Sequence, residues 1–140
     1  MKNQIYPCLW FDGQAKAAAE HYCSIFKNAK ITDENPMVVN FKVNGQKFMG
    51  LNGGPMFKFN EAISFVVDCE TQEEIDFYWD KLVAGGSESQ CGWLKDKFGV
   101  SWQIVPTVLG KLLSDPEKAQ RVVQAFMKMK KFEIEKLLNA

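Results

Sequence analysis

Hydrophobic and polar positions in the first third of the chain indicate one strand, one helix and then three strands. Apolar residues within 14–26 recur at helical spacing and form one stripe, made of Ala15, Ala18, Ala19, Tyr22, Ile25 and Phe26. Strands are predicted at residues 5–11, 29–32, 38–43 and 46–51. Asn44-Gly45 favours a hairpin between the last two, because both turn residues must accept a positive φ. Asp12-Gly13 ends the first strand and is predicted to cap the helix.

The same order of elements begins again after residue 61. An apolar strand is predicted at 63–67, and Thr71 with Glu74 forms a capping box for a helix that ends near residue 84. Gly85-Gly86 is typical of a helix C-terminus. Two short strands are then predicted, around 88–94 and 98–105.

These two halves can be aligned with each other. At one constant offset Ala18 corresponds to Ile75, Tyr22 to Trp79 and Ile25 to Leu82. The shared order of elements and the shared aromatic positions predict a duplicated βαβββ unit and an α+β fold.

Residues 107–140 carry no strand pattern and are predicted to be helical. One helix is predicted to begin at Ser114-Asp115-Pro116-Glu117 and a second to span 132–138. The apolar stripe of this extension consists of Val122, Val123, Phe126 and Met129. It has to be buried either against the helices of the sheet or against a partner chain.

Composition and charge exclude several classes of protein. The 140 residues suffice for one domain, and 46% of them are hydrophobic. Lys plus Arg and Asp plus Glu both number 17, so the basic surplus of a nucleic-acid binder is missing. No apolar run reaches the roughly 18 residues of a membrane span. The four cysteines form no CxxC pair, and no leader pattern is seen at the N-terminus, so we expect a cytoplasmic protein with reduced thiols.

Several segments resemble one known family. They are Leu9-Trp10-Phe11-Asp12-Gly13, His21-Tyr22, Leu51-Asn52-Gly53-Gly54-Pro55 and Asp96-Lys97-Phe98-Gly99-Val100-Ser101-Trp102-Gln103. They are similar to the PhnB-like branch of the vicinal oxygen chelate superfamily, which also includes glyoxalase I, bleomycin-resistance proteins and extradiol dioxygenases. The resemblance implies two βαβββ modules in a half-open curved sheet, at about 4–52 and 62–105, within a domain of 1–106. It also implies a homodimer, and 107–140 would be a helical extension of the same domain.

The resemblance also allows the metal site of the superfamily to be tested on this sequence. In its metal-dependent enzymes the ligands lie on the first and last strands of each module. Carried over by position, these sites fall on Pro7, Met49, Ala62 and Gln103. Only Gln103 could bind a hard cation, and shifting the alignment by one position restores no set of imidazole and carboxylate ligands. We therefore predict no metal and no cofactor.

Members of this branch are often labelled as demethylubiquinone methyltransferase-like. A typical adenosylmethionine-binding enzyme uses a glycine-rich turn between a strand and a helix of a parallel sheet. Here Gly53-Gly54 and Gly85-Gly86 do not form GxGxG, and neither is predicted to join a strand to a helix. Methyl transfer is therefore disfavoured as the chemistry of this chain.

Two side chains are candidates for direct chemistry. His21 is the single histidine, and it could act as a general base, although its predicted position within a helix favours a packing role. Cys91 could act as a nucleophile, although the sequence around it predicts no electropositive setting. A buried thiol with no reactivity is the alternative.

The leading hypothesis is a binding site without catalysis. Aromatic residues on the predicted strands, together with a few polar residues, describe an apolar pocket with polar anchors, which is typical of small-molecule sites. The predicted ligand-binding residues are Trp10, Asn52, Phe59, Ser64, Cys91, Trp93, Trp102 and Gln103. We expect a small apolar or aromatic ligand in the cavity of the sheets. A metal-dependent lyase, isomerase or dioxygenase of the glyoxalase type is the alternative.

Overall fold

The chain repeats one arrangement of strands around one helix. The computed structural model describes residues 3–140, so the first two residues of the predicted domain of 1–106 lie outside it. It contains two units, the first ending at Phe59 and the second running from Asn60 to Ala140. None of the helices between residues 3 and 140 has the length and apolar character needed to cross a membrane.

The first unit has the predicted order of elements. These are β1 (Cys8–Phe11), α1 (Ala15–Ile25), β2 (Ala29–Glu34), β3 (Val38–Val43) and β4 (Gln46–Asn52). The strand order is β1-β4-β3-β2, with β1 parallel to β4 and the other neighbours antiparallel. The predicted hairpin is confirmed, since Asn44 and Gly45 have φ values of 49° and 84°. The apolar stripe of α1 is buried as predicted.

The first strand is shorter than predicted. It begins at Cys8 and not at residue 5, and the Ile5 side chain is 93% exposed. Pro7 has no N–H to donate to the ladder, and its carbonyl accepts a hydrogen bond from Met49 N at 3.0 Å. The predicted strand of 5–11 is therefore wrong at its N-terminal end.

The second unit repeats this topology and adds three helices. Its elements are β5 (Ser64–Cys69), α2 (Gln72–Val83), β6 (Ser87–Glu88), β7 (Trp93–Lys95), β8 (Ser101–Pro106), α3 (Val108–Leu113), α4 (Ala119–Phe126) and α5 (Ile134–Leu138). The strand order is β5-β8-β7-β6, with β5 parallel to β8. The predicted capping box is present, with Glu74 N donating to Thr71 Oγ1 at 3.1 Å. The duplicated βαβββ unit is confirmed.

Two predictions for the second unit are corrected. The single strand at 88–94 is two strands, β6 and β7, separated by a turn in which Cys91 has a φ of 58°. The helix predicted to begin near Ser114 begins at Ala119, and α3 is a separate helix earlier in the segment predicted to be helical. Two residues of the stripe are buried, with Val122 1% and Met129 6% exposed, whereas Val123 and Phe126 are half-buried.

Each sheet has one face packed on its helix, called here the helix face, and an opposite face, called here the open face. In the first sheet a Cβ on Gly50 would lie 3.2 Å from Ala15 Cβ, so the residues in register with Gly50 face α1. In the second sheet Trp79 of α2 donates to Glu88, which lies opposite Leu94. The α2 side of that sheet therefore carries Leu94, Trp102 and Ile104.

Candidate functional site

The open face of the second sheet carries a polar pair beside apolar side chains. Gln103 Nε2 donates a hydrogen bond of 3.0 Å to Ser64 Oγ across the parallel pair β5 and β8. Gln103 lies in register with Val66 on one side and Trp93 on the other. Val66 is 56% exposed, and Trp93 is half-buried. Three of the predicted ligand-binding residues, Ser64, Trp93 and Gln103, therefore share one accessible face.

Trp102 lies on the other face of the same sheet. Successive residues of a strand point to opposite faces, and Trp102 is 6% exposed on the α2 side. Its Nε1 donates to Asp96 Oδ2 at 2.9 Å, and its ring lies 5.5 Å from that of Phe65. A molecule bound beside Gln103 on the open face therefore does not reach the indole of Trp102.

Asp96 is an important residue that the sequence reasoning missed. It is 2% exposed, and its Oδ1 accepts hydrogen bonds from Phe98 N at 2.8 Å and Val100 N at 3.1 Å. With the bond from Trp102, the carboxylate fixes the turn that leads from β7 into β8. The sequence does contain a signal for this turn, because aspartate side chains commonly accept a hydrogen bond from the backbone N–H two residues later.

The three predicted residues of the first unit have three different environments. Trp10 lies on the open face, donates from Nε1 to Gly54 O at 2.8 Å and contacts Phe57 edge-on at 4.9 Å. The ring of Phe59 lies 5.3 Å from that of Phe11, on the helix face. Both ends of the Asn52 amide make hydrogen bonds within the unit.

Asn52 holds the start of α1. Its Oδ1 accepts from Ala15 N at 2.9 Å, and its Nδ2 donates to Pro36 O at 3.2 Å. The helix has no capping side chain of its own at Gln14. The prediction that Asp12-Gly13 caps this helix is therefore wrong, because a residue of β4 supplies the acceptor.

Cys91 occupies a turn that anchors the C-terminal segment. Its N–H donates to Met129 O at 2.8 Å, and Gly92 N donates to Lys130 O at 2.7 Å. A Cβ on Gly92 would overlap Phe132 Cε2, so the ring of Phe132 packs directly on the glycine. The Cys91 side chain is half-buried in this turn.

His21, the candidate general base, lies on α1. Its ring centroid is 5.8 Å from that of Tyr22, and its carbonyl accepts a hydrogen bond from Ser24 Oγ at 2.6 Å. The imidazole is half-buried beside an aromatic side chain of the core. This environment is that of a packed helix residue.

The residues at the metal positions of the superfamily do not fit a metal centre of that type. Met49 lies on the open face of the first sheet and Gln103 on that of the second, while Pro7 and Ala62 lie outside the strands. In residues 3–140 no three His, Cys, Asp or Glu side chains form a group that could hold a metal ion. Iron, nickel, zinc and manganese sites are built mainly from such ligands.

Two recesses lie in the second unit. The larger, of about 1220 Å³, follows the C-terminal segment and is lined by charged residues that pair with each other, such as Lys131 with Asp76 at 2.7 Å. It contains none of the predicted ligand-binding residues. The smaller, of about 200 Å³, includes Trp93, Lys95 and Ser101. The smaller recess adjoins the Ser64–Gln103 pair, because Ser101 lies in register with Ser64.

Comparisons with known proteins assign the chain to a family. Residues 3–105 match the family model described as 3-demethylubiquinone-9 3-methyltransferase. The chain belongs to this family. It is 32% identical to a putative 3-demethylubiquinone-9 3-methyltransferase, PhnB protein, from Bacillus cereus, with a TM-score of 0.67 over 75% of this chain and 100% of that one. The resemblance to PhnB-like proteins of the vicinal oxygen chelate superfamily is thereby confirmed.

More distant structures share the fold. A glyoxalase-related enzyme from Fulvimarina pelagi is 13% identical, with a TM-score of 0.55 over 76% of this chain and 90% of that one. A fosfomycin resistance protein from Listeria monocytogenes, solved with Mn(II) and sulfate, is 16% identical, with a TM-score of 0.60 over 81% of this chain and 97% of that one. The comparison with curated proteins gave no match. These structures support the glyoxalase/bleomycin resistance fold.

Proposed function

We propose that this PhnB-like protein binds a small aromatic or apolar molecule on the open face of its second sheet, without a metal. The observation that carries the proposal is the Gln103–Ser64 hydrogen bond between the half-buried Trp93 and the exposed Val66. An apolar surface with a few fixed polar groups is the usual character of a ligand site.

Each side chain has a distinct part in this proposal. The indole of Trp93 offers a flat apolar surface, and Val66 extends it across β8. Because Ser64 Oγ accepts from Gln103, its hydroxyl hydrogen can be donated to a polar atom of the ligand. The pair therefore orients the ligand while Trp93 and Val66 supply contact area.

Methyl transfer is not the activity that we propose for this chain. Gly53-Gly54 follows β4 and leads into an irregular segment, and Gly85-Gly86 follows α2. The connection from β1 to α1 contains the single glycine Gly13, and that from β5 to α2 contains none. Neither connection has the glycine-rich form that admits a nucleotide cofactor.

Titration of the labelled protein with benzyl alcohol tests the binding site. We expect the indole N–H signal of Trp93 to shift, with the backbone signals of Val66 and Gln103, while that of Trp102 stays in place. Trp93→Leu should abolish the response, and Trp10→Leu is the matched control in the other unit. Shifts confined to Trp10, or no shift at Trp93, would overturn the proposal.

The metal content and the oligomeric state have direct tests. Elemental analysis of untagged protein purified without chelators should show substoichiometric metal, and one divalent ion per chain would favour the glyoxalase-type enzyme. The homodimer stays a prediction, which light scattering checks. The cytoplasmic location also stays a prediction. The four free cysteines agree with it, because cysteines in the cytoplasm are usually kept reduced.

A further inference from the structure

The small recess beside the open face of the second sheet is lined mainly by polar residues. It measures about 200 Å³ and is lined by Trp93, Lys95, Ser101 and Glu61, among others. Lys95 and Ser101 lie directly opposite each other on β7 and β8. Ser101 also pairs with Ser64, so the recess continues the surface of the Ser64–Gln103 pair.

Ser101 carries a buried hydroxyl group with unused hydrogen-bonding capacity. The residue is 1% exposed, and its Oγ makes no hydrogen bond within the part of the chain that the structure describes. Buried hydroxyl groups almost always have a partner, because an unsatisfied one is unfavourable. Ser101 is one of the residues that line the recess, so an atom of a ligand bound there can supply the missing partner.

Lys95 supplies a positive charge to the same recess, and a carboxylate already lies on it. Its Nζ is 3.2 Å from Glu61 Oε2. Glu61 belongs to the segment between β4 and β5, and its side chain is 64% exposed. The hydrogen bond from Lys95 lowers the pKa of the Glu61 carboxyl group. An exposed ion pair of this kind is weak enough to be exchanged.

We propose that the ligand carries a carboxylate, which binds between the Lys95 ammonium group and the Ser101 hydroxyl group in place of Glu61. This inference rests on the proposed function, because the body of the ligand lies on Trp93. Two donors, one of them charged, form a carboxylate site of the usual kind. Glu61 then competes with the ligand from within the chain, because its carboxylate forms the ion pair with Lys95 when no ligand is bound.

Benzoate and benzamide are the matched probes, because they have the same ring and nearly the same shape but differ in charge. We expect benzoate to bind about tenfold more tightly than benzamide, as a charge-assisted contact implies. Both dissociation constants are measured from the shift of the Trp93 indole signal.

Variants at the recess separate the contributions of Lys95, Ser101 and Glu61 to the affinity for benzoate. Lys95→Met should weaken benzoate about tenfold and leave benzamide within about twofold, since the apolar stem is kept. Ser101→Ala should weaken benzoate by a smaller factor. Glu61→Gln should strengthen benzoate by about twofold to fivefold, because the competitor loses its charge. Glu20→Gln, an exposed acid on α1, is the control and should change neither constant.

The outcomes distinguish this inference from the function on which it rests. If benzoate and benzamide both shift Trp93 with equal affinity, the carboxylate site is wrong and the binding face stands. If neither probe shifts Trp93, the proposed function is wrong as well. If Glu61→Gln weakens benzoate, Glu61 is a contact for the ligand and not its competitor, and the inference is overturned. Unchanged thermal unfolding of Lys95→Met excludes loss of the fold as the cause.

Discussion

The indole Nε1 of Trp102 donates a hydrogen bond of 2.9 Å to the carboxylate of Asp96, six residues earlier in the chain. The two residues flank the turn between β7 and β8, and both are more than nine-tenths buried. The carboxylate also accepts from the backbone of Phe98 and Val100. The bond therefore connects the core under α2 to the turn that brings β8 back beside β7.

Removal of the Asp96 carboxylate should destabilise the protein strongly. Asp96→Ala leaves three donors without their acceptor, and we expect the free energy of unfolding to fall by about 2–4 kcal/mol. Trp102→Phe removes one of the three bonds and should cost about 1–2 kcal/mol. Urea unfolding measures both, with the exposed Asp12→Ala as control. An Asp96→Ala loss as small as that of the control would contradict the structural role.

Loss of the Asn52 side chain should weaken the start of α1. Asn52→Ala removes the acceptor of Ala15 N, and a lost cap typically costs about 1 kcal/mol. Asn28→Ala, at an exposed position, is the matched control. Hydrogen exchange of the Ala15 amide should become faster in Asn52→Ala alone. Unchanged exchange there would mean that the cap is not formed in solution.

Two glycines with the same backbone conformation should differ sharply in their tolerance of alanine. Gly13 and Gly92 have φ values of 78° and 83°, so both substitutions carry a similar backbone strain of about 1 kcal/mol. A Cβ on Gly13 meets no atom within 4 Å, whereas one on Gly92 would overlap the ring of Phe132. We expect Gly92→Ala to cost at least about 2 kcal/mol more than Gly13→Ala. Equal thermal shifts would show that Phe132 does not pack on Gly92.

The ion pair of Asp76 and Lys131 should give a small, defined pH dependence. Hydrogen bonds from Lys131, and then from Gln72, lower the pKa of the Asp76 carboxyl group. The hydrogen bond to Asp76 raises the pKa of Lys131 above its ordinary 10.5. The pair therefore stabilises the fold at pH values between these two pKa values. Its contribution is lost as the pH falls below about 4 through the lowered pKa of Asp76. It is also lost as the pH rises past the raised pKa of Lys131.

The partial exposure of both side chains keeps the size of this effect below about 1 kcal/mol. Lys131→Met should return the pKa of Asp76 towards its ordinary value of 3.8. Carboxyl signals followed by NMR between pH 2 and about 6, across the ordinary carboxyl range, check this. An Asp76 titration that does not respond to Lys131→Met would contradict the pair.

The four thiols should differ in their reaction with iodoacetamide. Cys69 is fully buried, and burial first, then the charges of Glu74 and Asp68, raise its pKa to about 11. We expect it to react only in unfolded protein, because the thiolate is the nucleophile. Cys8, the exposed thiol, should react first in the folded state. Mass spectrometry of timed samples measures the order, and fast, selective labelling of Cys91 would instead favour covalent chemistry there.

Local patterns predicted the elements that depend on neighbouring residues. The capping box of Thr71 and Glu74 and the Asn44-Gly45 turn are each made by contacts within a few residues, so the sequence shows them directly. The turn at Cys91 depends on Met129, a contact distant in sequence, and its φ is uncommon for a cysteine. The strand around it was therefore predicted as continuous.

The candidate site was predicted only in part, for two different reasons. Trp102 and Gln103 are adjacent on a strand, so the alternation of side chains already placed them on opposite faces, and the sequence reasoning overlooked it. The contact of Asn52 with Ala15 joins β4 to α1, and no local pattern shows such a contact. The buried hydroxyl of Ser101 likewise depends on how the second sheet packs.

The parallel pairing of the first and last strands sets the order in which each unit can assemble on the ribosome. β1 has no partner strand until β4 has been synthesised, since Leu9 pairs with Gly50. In the same way, β5 has no partner strand until β8 has been synthesised. The β3–β4 hairpin is local and can form early, whereas the outer strand joins last across a long loop. We expect a nascent chain to protect β1 only after Asn52 has left the exit tunnel. Synthesis thus completes one module before the strands of the next begin to emerge.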